Sequence, residues 1–215
     1  MKFVLDEEQV ALRDALDGLV AGNRTAPDLW KRLDEMGIND LAVDASPVEV
    51  AVAFEVLGRY AVPDAVASTA GVPDDVELAT VATAAYLLGA GERVLADSVA
   101  YAKQRRQFGR EIGSYQAIKH RLADVRIALD FARPLVYGAA LDMSPRSVSA
   151  AKVSAGDAAY LASRTGLQVH GAIGYTQELE LSAWFTAIRE LQSAYGTAAQ
   201  HRRRILDSLL AERQG

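Results

Sequence analysis

The chain has 215 residues, half of them apolar, a formal charge of −5 and a pI near 5.3. That is enough to bury a sizeable core in one large or two small domains. The acidic balance argues against a nucleic-acid protein, because Arg202-Arg203-Arg204 is the one dense basic run and is expected to face solvent near a helix C-terminus. The absence of cysteine excludes disulfides and thiolate chemistry. No apolar run reaches membrane-spanning length, and Asp6, Glu7 and Glu8 stand where a signal peptide would be apolar, so a soluble cytoplasmic protein is expected.

Apolar residues from Phe3 to Leu19 recur at helical spacing and predict a first amphipathic helix, with the acidic trio at its positive end and Gly22-Asn23 as its stop. A second helix is expected over 27–36, with Pro27 near its first turn and Gly37 ending it. A third covers 47–59. A loop over 63–73, rich in Ala, Ser, Thr and Gly, precedes three long helices over 78–106, 114–143 and 147–169, the last two divided at Ser144-Pro145-Arg146. One or two more follow over 179–210. No stretch alternates β-branched with polar residues, so the fold class read from the pattern is all-α.

Residues 101–120, YAKQRRQFGREIGSYQAIKH, carry the densest chemistry. Read as the end of a helix, Arg105, Arg106 and Gln107 share one turn and Phe108-Gly109 stops it, so charge-assisted donors and an aromatic face converge on a place suited to an anion. The plainer alternative is a helical corner with a solvated basic face. An arginine placed deeply here needs an anion or a carboxylate such as Asp124. Residues 168–176, QVHGAIGYT, form a glycine loop of the kind that lets backbone approach a ligand, although such a pair is more often loop punctuation. His170 beside it reads as a structural hydrogen-bonder. His120 and His201 lack ligand partners at helical spacing, so no metal site is expected. Trp30, Trp184, Tyr175 and Phe185 are read as packing aromatics.

Taken together, these segments resemble the acyl-CoA dehydrogenase family. Residues 101–116 are similar to its YAxxRxQFGxxIxxxQ signature, 168–176 to its Q-x-x-G-G-x-G-Y-T loop with Ala172 at the second glycine, and 3–16 to its FxLxEEQxxLRDAL opening helix. EVLGRYAVP, ending at Pro63, is similar to its EELGRxxAP. The resemblance implies N-terminal helices followed by an antiparallel four-helix-type bundle, with FAD as cofactor and α,β-dehydrogenation of an acyl-CoA thioester as chemistry. It implies that Arg105, Gln107, Phe108, Gln168 and Gly171 reach across a subunit interface to the diphosphate and adenosine of a neighbour's flavin. Thr197 is the remaining cofactor contact on the other, cis side.

Two departures qualify what is implied. The family's middle β-domain has only residues 63–73 in its place, which divides the chain into an N-terminal helical segment (1–62), a short linker (63–73) and a C-terminal bundle (74–215). The catalytic glutamate of the family's Y-E-G-T segment is replaced by Tyr195 in Ala194-Tyr195-Gly196-Thr197, and a phenol ordinarily ionises near pH 10. The alternative glutamate position falls on Ala79, and Glu77 lies two residues away, about 200° around a helix. Ala199 also replaces a usual Gln or Glu. The resemblance therefore implies no catalytic residue in this chain. It points to the non-catalytic small subunit of a heteromeric acyl-CoA dehydrogenase, of the kind that includes enzymes of steroid side chains. In that reading the chain is paired with a full-length subunit in a heterotetramer, sharing an FAD it does not hold tightly alone. Two alternatives stand beside it: a redox-inactive homodimeric helical scaffold or binding protein, and a non-redox acyl-CoA lyase or isomerase using Tyr195 and His170.

Overall fold

In chain order the elements are α1 (Glu7–Val20), α2 (Leu29–Glu35), α3 (Pro47–Arg59), α4 (Val76–Gln104), β1 (Arg106–Gln107) and β2 (Arg110–Glu111). A 3-10 turn (Ile112–Ser114) leads to α5 (Gln116–Asp142) and α6 (Pro145–His170), and a second (Gly171–Tyr175) leads to α7 (Ser182–Leu191) and α8 (Ala198–Glu212). The computed structural model describes residues 4–38, 40–41, 45–63, 65 and 75–213; Phe3 and most of the expected linker over 63–73 lie outside them.

Side-chain chemistry sets where these helices begin. Reciprocal capping boxes precede α1 (Asp6 with Gln9), α3 (Ser46 with Glu49) and α8 (Thr197 with Gln200), so first-turn N–H groups that have no intrahelical partner are satisfied locally. Asp75 and Ser144 cap α4 and α6 in the simpler way.

The core lies between α3, α4, α5 and α6. Every residue of α4 from Leu78 to Gly91 is buried, which requires the small-residue run ATVATAAYLLGAG, since neighbours approach on all sides. The closest approach is α3 on α4: a Cβ on Gly58 would lie 2.0 Å from the Tyr86 carbonyl oxygen, and one on Gly89 1.9 Å from that of Glu55. Trp184 of α7 covers the end of α3, donating Nε1–H to the Gly58 and Arg59 carbonyls at 3.2 and 3.1 Å. The guanidiniums of Arg24 and Arg93 sit 4.4 and 5.1 Å from its ring centre.

A charged network ties α3, α4 and α5 together. Arg133 donates to Glu55 at 2.8 and 3.0 Å and to Glu92 at 3.0 Å, Tyr137 donates to Glu55 at 2.8 Å, and Arg126 bridges Glu92 and Asp130. Burial pushes the Glu92 carboxyl up, but the hydrogen bonds from Arg126 and Arg133 outweigh it and hold it below its usual value. Burial, reinforced by Glu55, raises the Tyr137 phenol well above its own.

Two expectations are corrected. The helix expected over 78–106 ends at Gln104, so Arg105, Arg106 and Gln107 do not share a helical turn: Arg105 is extended (φ −71°, ψ 121°) and the next two residues form a strand. The run Arg202-Arg203-Arg204 lies in the first half of α8, ion-paired to Asp157, Asp207 and Glu77, and not near that helix's C-terminus. No helix among the described residues is long and apolar enough to cross a membrane.

Candidate functional site

The segment after α4 is a two-residue β-hairpin. Phe108 and Gly109 both have positive φ (53° and 84°), the backbone of a type I′ turn, whose twist matches that of an antiparallel pair. Arg106 pairs with Glu111 and Gln107 with Arg110, and the Ile112 N–H closes the ladder on the Arg105 carbonyl at 2.8 Å. Arg106 is held within the hairpin by Glu111 at 3.2 Å, and Arg110 lies 4.0 Å above the Tyr115 ring. Arg105 is different. Its side chain is exposed and has no ion pair or hydrogen bond among the described residues, so of the two partners open to it in the sequence, a ligand anion or a carboxylate such as Asp124, the carboxylate is not engaged. The Gln107 side chain is likewise exposed, and Phe108, at the tip, is 92% exposed.

The glycine loop lies at the same end of the bundle, because the Tyr101 and His170 rings, from the last turns of α4 and α6, stack with centroids 4.4 Å apart. His170 is buried, and its Nδ1 donates to the Gly166 carbonyl at 2.9 Å, as expected of a structural histidine. Gly171 follows with φ 65°, a left-handed position, and open space where a Cβ would stand. Gln168 and Gly171 open onto a groove of about 910 Å³ between α5 and α6, walled also by Arg121, Arg164, Tyr160 and Tyr175. Tyr175 is 80% exposed, so it is not a packing aromatic, unlike buried Trp184 and the partly buried Trp30 and Phe185.

Thr197 and Tyr195 lie elsewhere. His201, one turn beyond Thr197, contacts Ser149 in the second turn of α6, whereas Gln168 is in the last turn of that helix, about 28 Å away at 1.5 Å per residue. The chain therefore gathers Arg105, Gln107, Phe108, Gln168 and Gly171 at one end of its bundle and carries Thr197 near the other. Thr197 is an N-cap there, its Oγ1 accepting the Gln200 N–H. Tyr195 has φ 56° and is 40% exposed, with no side-chain hydrogen bond among the described residues.

The other base position holds no free carboxylate. Ala79 is buried in the core, and Glu77 is gripped by both terminal nitrogens of Arg204. No group of three or more His, Asp or Glu that could hold a metal ion is present among the described residues. Sequence reading missed a buried group beneath the α7–α8 turn, Lys152 with Ser149 and His201. Its only trace was a lysine inside the Ala- and Ser-rich face of α6, which helical spacing places on the buried side.

The donor set at the hairpin end suits a diphosphate-bearing ligand: one unpaired guanidinium, exposed amides, an unshielded aromatic ring and an open left-handed glycine. Residues 76–210 match the model of the acyl-CoA dehydrogenase C-terminal domain. The acyl-CoA dehydrogenase IpdE2 of Mycobacterium tuberculosis is 40% identical over 113 residues, 53% of this chain and 36% of that protein, and the chain spans less than half the length of the curated relatives it matches. Butyryl-CoA dehydrogenase of Megasphaera elsdenii superposes with a TM-score of 0.60 at 29% identity over 68% of this chain and 38% of its own. A chain of the Tcur3481-Tcur3483 steroid ACAD superposes with a TM-score of 0.83 over 97% of this chain and 99% of its own, a likeness of fold at 16% identity. The chain belongs to the acyl-CoA dehydrogenase family, with the family's C-terminal helical domain at residues 76–210.

Proposed function

We propose that this chain is the non-catalytic small subunit of a heteromeric acyl-CoA dehydrogenase, completing the flavin site of a full-length partner through its hairpin and glycine loop. The observation that carries the reading is the outward presentation of Arg105, Phe108 and Gln168 at one end of the bundle, each exposed and without a side-chain hydrogen bond or ion pair among the described residues. An exposed, unpaired arginine is ready for a ligand phosphate from another chain. In this reading Arg105 would hold the diphosphate, with the Gln107 and Gln168 amides, the Phe108 ring and the Gly171 backbone as the further residues that would hold the ligand. A bound FAD supplies the hydride acceptor for an acyl thioester. The base comes from the partner, since Tyr195 and Ala79 fill the two positions where this chain would carry one and the nearby Glu77 is held by Arg204.

Two further features support it. The near-full-length structural neighbour is a chain of the Tcur3481-Tcur3483 steroid ACAD, and it is matched over nearly all of its length. A row of exposed apolar side chains on α5, Ile127, Phe131 and Leu135 at four-residue spacing, offers an apolar helix face to another subunit. We place the assembly in the cytoplasm as a heterotetramer acting on a lipid or steroid acyl-CoA, with residues 1–62 and 74–215 as helical segment and bundle on either side of the short linker 63–73. The test is to purify the chain alone and co-expressed with a full-length family member. Flavin absorbance and acyl-CoA-dependent reduction of an electron acceptor are expected in the complex and not in the chain alone. Stoichiometric FAD or dehydrogenase activity in the isolated chain would refute the proposal.

A further inference from the structure

Beneath the turn joining α7 to α8 lie two buried basic side chains. Lys152, 3% exposed, directs Nζ to the Leu191 and Gln192 carbonyls, each at 3.0 Å, and so caps the end of α7. His201, 4% exposed, has Nδ1 3.1 Å from the Ser149 hydroxyl, while its Nε2 has no hydrogen-bond partner among the described residues. That nitrogen faces the turn: a Cβ on Gly196 would lie 2.8 Å from it. The turn itself is strained, with Tyr195 at φ 56° and Gly196 at φ 119°.

We propose that His201 is a proton-operated latch: neutral, its ring seats the turn over residues 193–197, and protonated, it releases it. A neutral imidazole packs under Gly196 without a charge to satisfy. A proton makes it a second buried cation beside Lys152, where like charges interact strongly. Little around it compensates. From α6 it meets Ser149 and Lys152, and from α8 Arg204. Two groups favour the charged ring, the Tyr195 backbone of the turn as a hydrogen-bond partner and Glu77 of α4, already held by Arg204, and burial with Lys152 outweighs them. Asp157, Arg189 and Glu190 line a pocket that Lys152 and the turn residues Ser193 and Thr197 also line, with Asp157 bound by Arg202. Burial and then Lys152 hold the imidazole below its usual value against the Tyr195 backbone.

The sign follows from linkage. An open turn restores the ordinary imidazole value of about 6.5, so opening gains on closure as pH falls below it, by at most about tenfold per pH unit for one proton. The inference stands apart from the flavin reading, because its test uses the full chain alone. Amide hydrogen-exchange protection factors over residues 192–197 are measured between pH 7.5 and 5. The parent is expected to lose protection there below about pH 6.5. His201→Gln should be flat, and Lys152→Met, which removes the neighbouring cation, should lose less than the parent. The latch is overturned if the parent's protection stays flat, if His201→Gln falls as steeply as the parent, or if Lys152→Met falls by the parent's full amount.

Discussion

Lys152 sets a stability signature that one side chain can carry by itself. Burial lowers its amine from 10.5 to about 8. A depressed folded value means that the unfolded chain binds more protons between those limits, so stability rises with pH across that window and is lost again as pH falls through about 8. The shift corresponds to about 3 kcal/mol when converted at about 1.4 kcal/mol per unit. The difference in unfolding free energy between parent and Lys152→Met is expected to carry this slope between pH 8 and 10.5, the limits of that shift. A constant difference would place the amine in water. Such features are hard to read from sequence. Lys152 shows only as a charge at a position whose helical neighbours are small and apolar, and Glu55, inside VAVAFEVLG, is the same kind of sign, misplaced polarity that tertiary pairing resolves. For Arg105 the sequence leaves a ligand anion and a carboxylate such as Asp124 as alternatives, and only the structure shows its side chain exposed.

At the scale of elements, α3 and α4 are fixed by how closely their backbones meet. Gly58 and Gly89 let each helix touch the other's carbonyls, and no side chain can be added without moving a helix. Gly89→Ala is expected to lower stability by about 2–3 kcal/mol in urea unfolding, even though alanine favours a helix by about 1 kcal/mol. Gly156→Ala, in α6 with nothing within 4 Å of the added carbon, should instead raise it by about 0.5–1 kcal/mol. Equal effects at the two glycines would mean that the crossing yields. The long helices were legible because their signals are local. The Ser46-Pro47-x-Glu49 start and the Arg59 finish of α3 stand in the sequence as they do in the structure, and Ser144-Pro145 divides α5 from α6. The hairpin was not. Its strands are two residues of charged and amide side chains without β preference, and Phe108 is an unusual first residue for a type I′ turn, so nothing short of the pairing itself reveals it.

Across the whole molecule, the retained and the lost features separate in space. The hairpin and glycine loop, with an unpaired arginine, glutamines, an exposed aromatic and a left-handed glycine, occupy one end. The turn with Tyr195 in the family's glutamate position occupies the other, about 28 Å along α6. That separation supports our reading of the chain as completing a neighbour's site. Motif recognition located each group, but only the helical topology set them apart. The most direct measurement is a titration of FAD against the purified heteromer, comparing parent with Arg105→Ala. Loss of a charge-assisted phosphate contact is worth about 1.5–3 kcal/mol, so FAD should bind roughly ten- to a hundredfold more weakly, with Gln168→Ala acting in the same direction but less strongly. Assembly should persist, because it rests on apolar helix faces. A heteromer that assembles with Arg105→Ala and holds FAD as tightly as the parent would contradict the cross-subunit account.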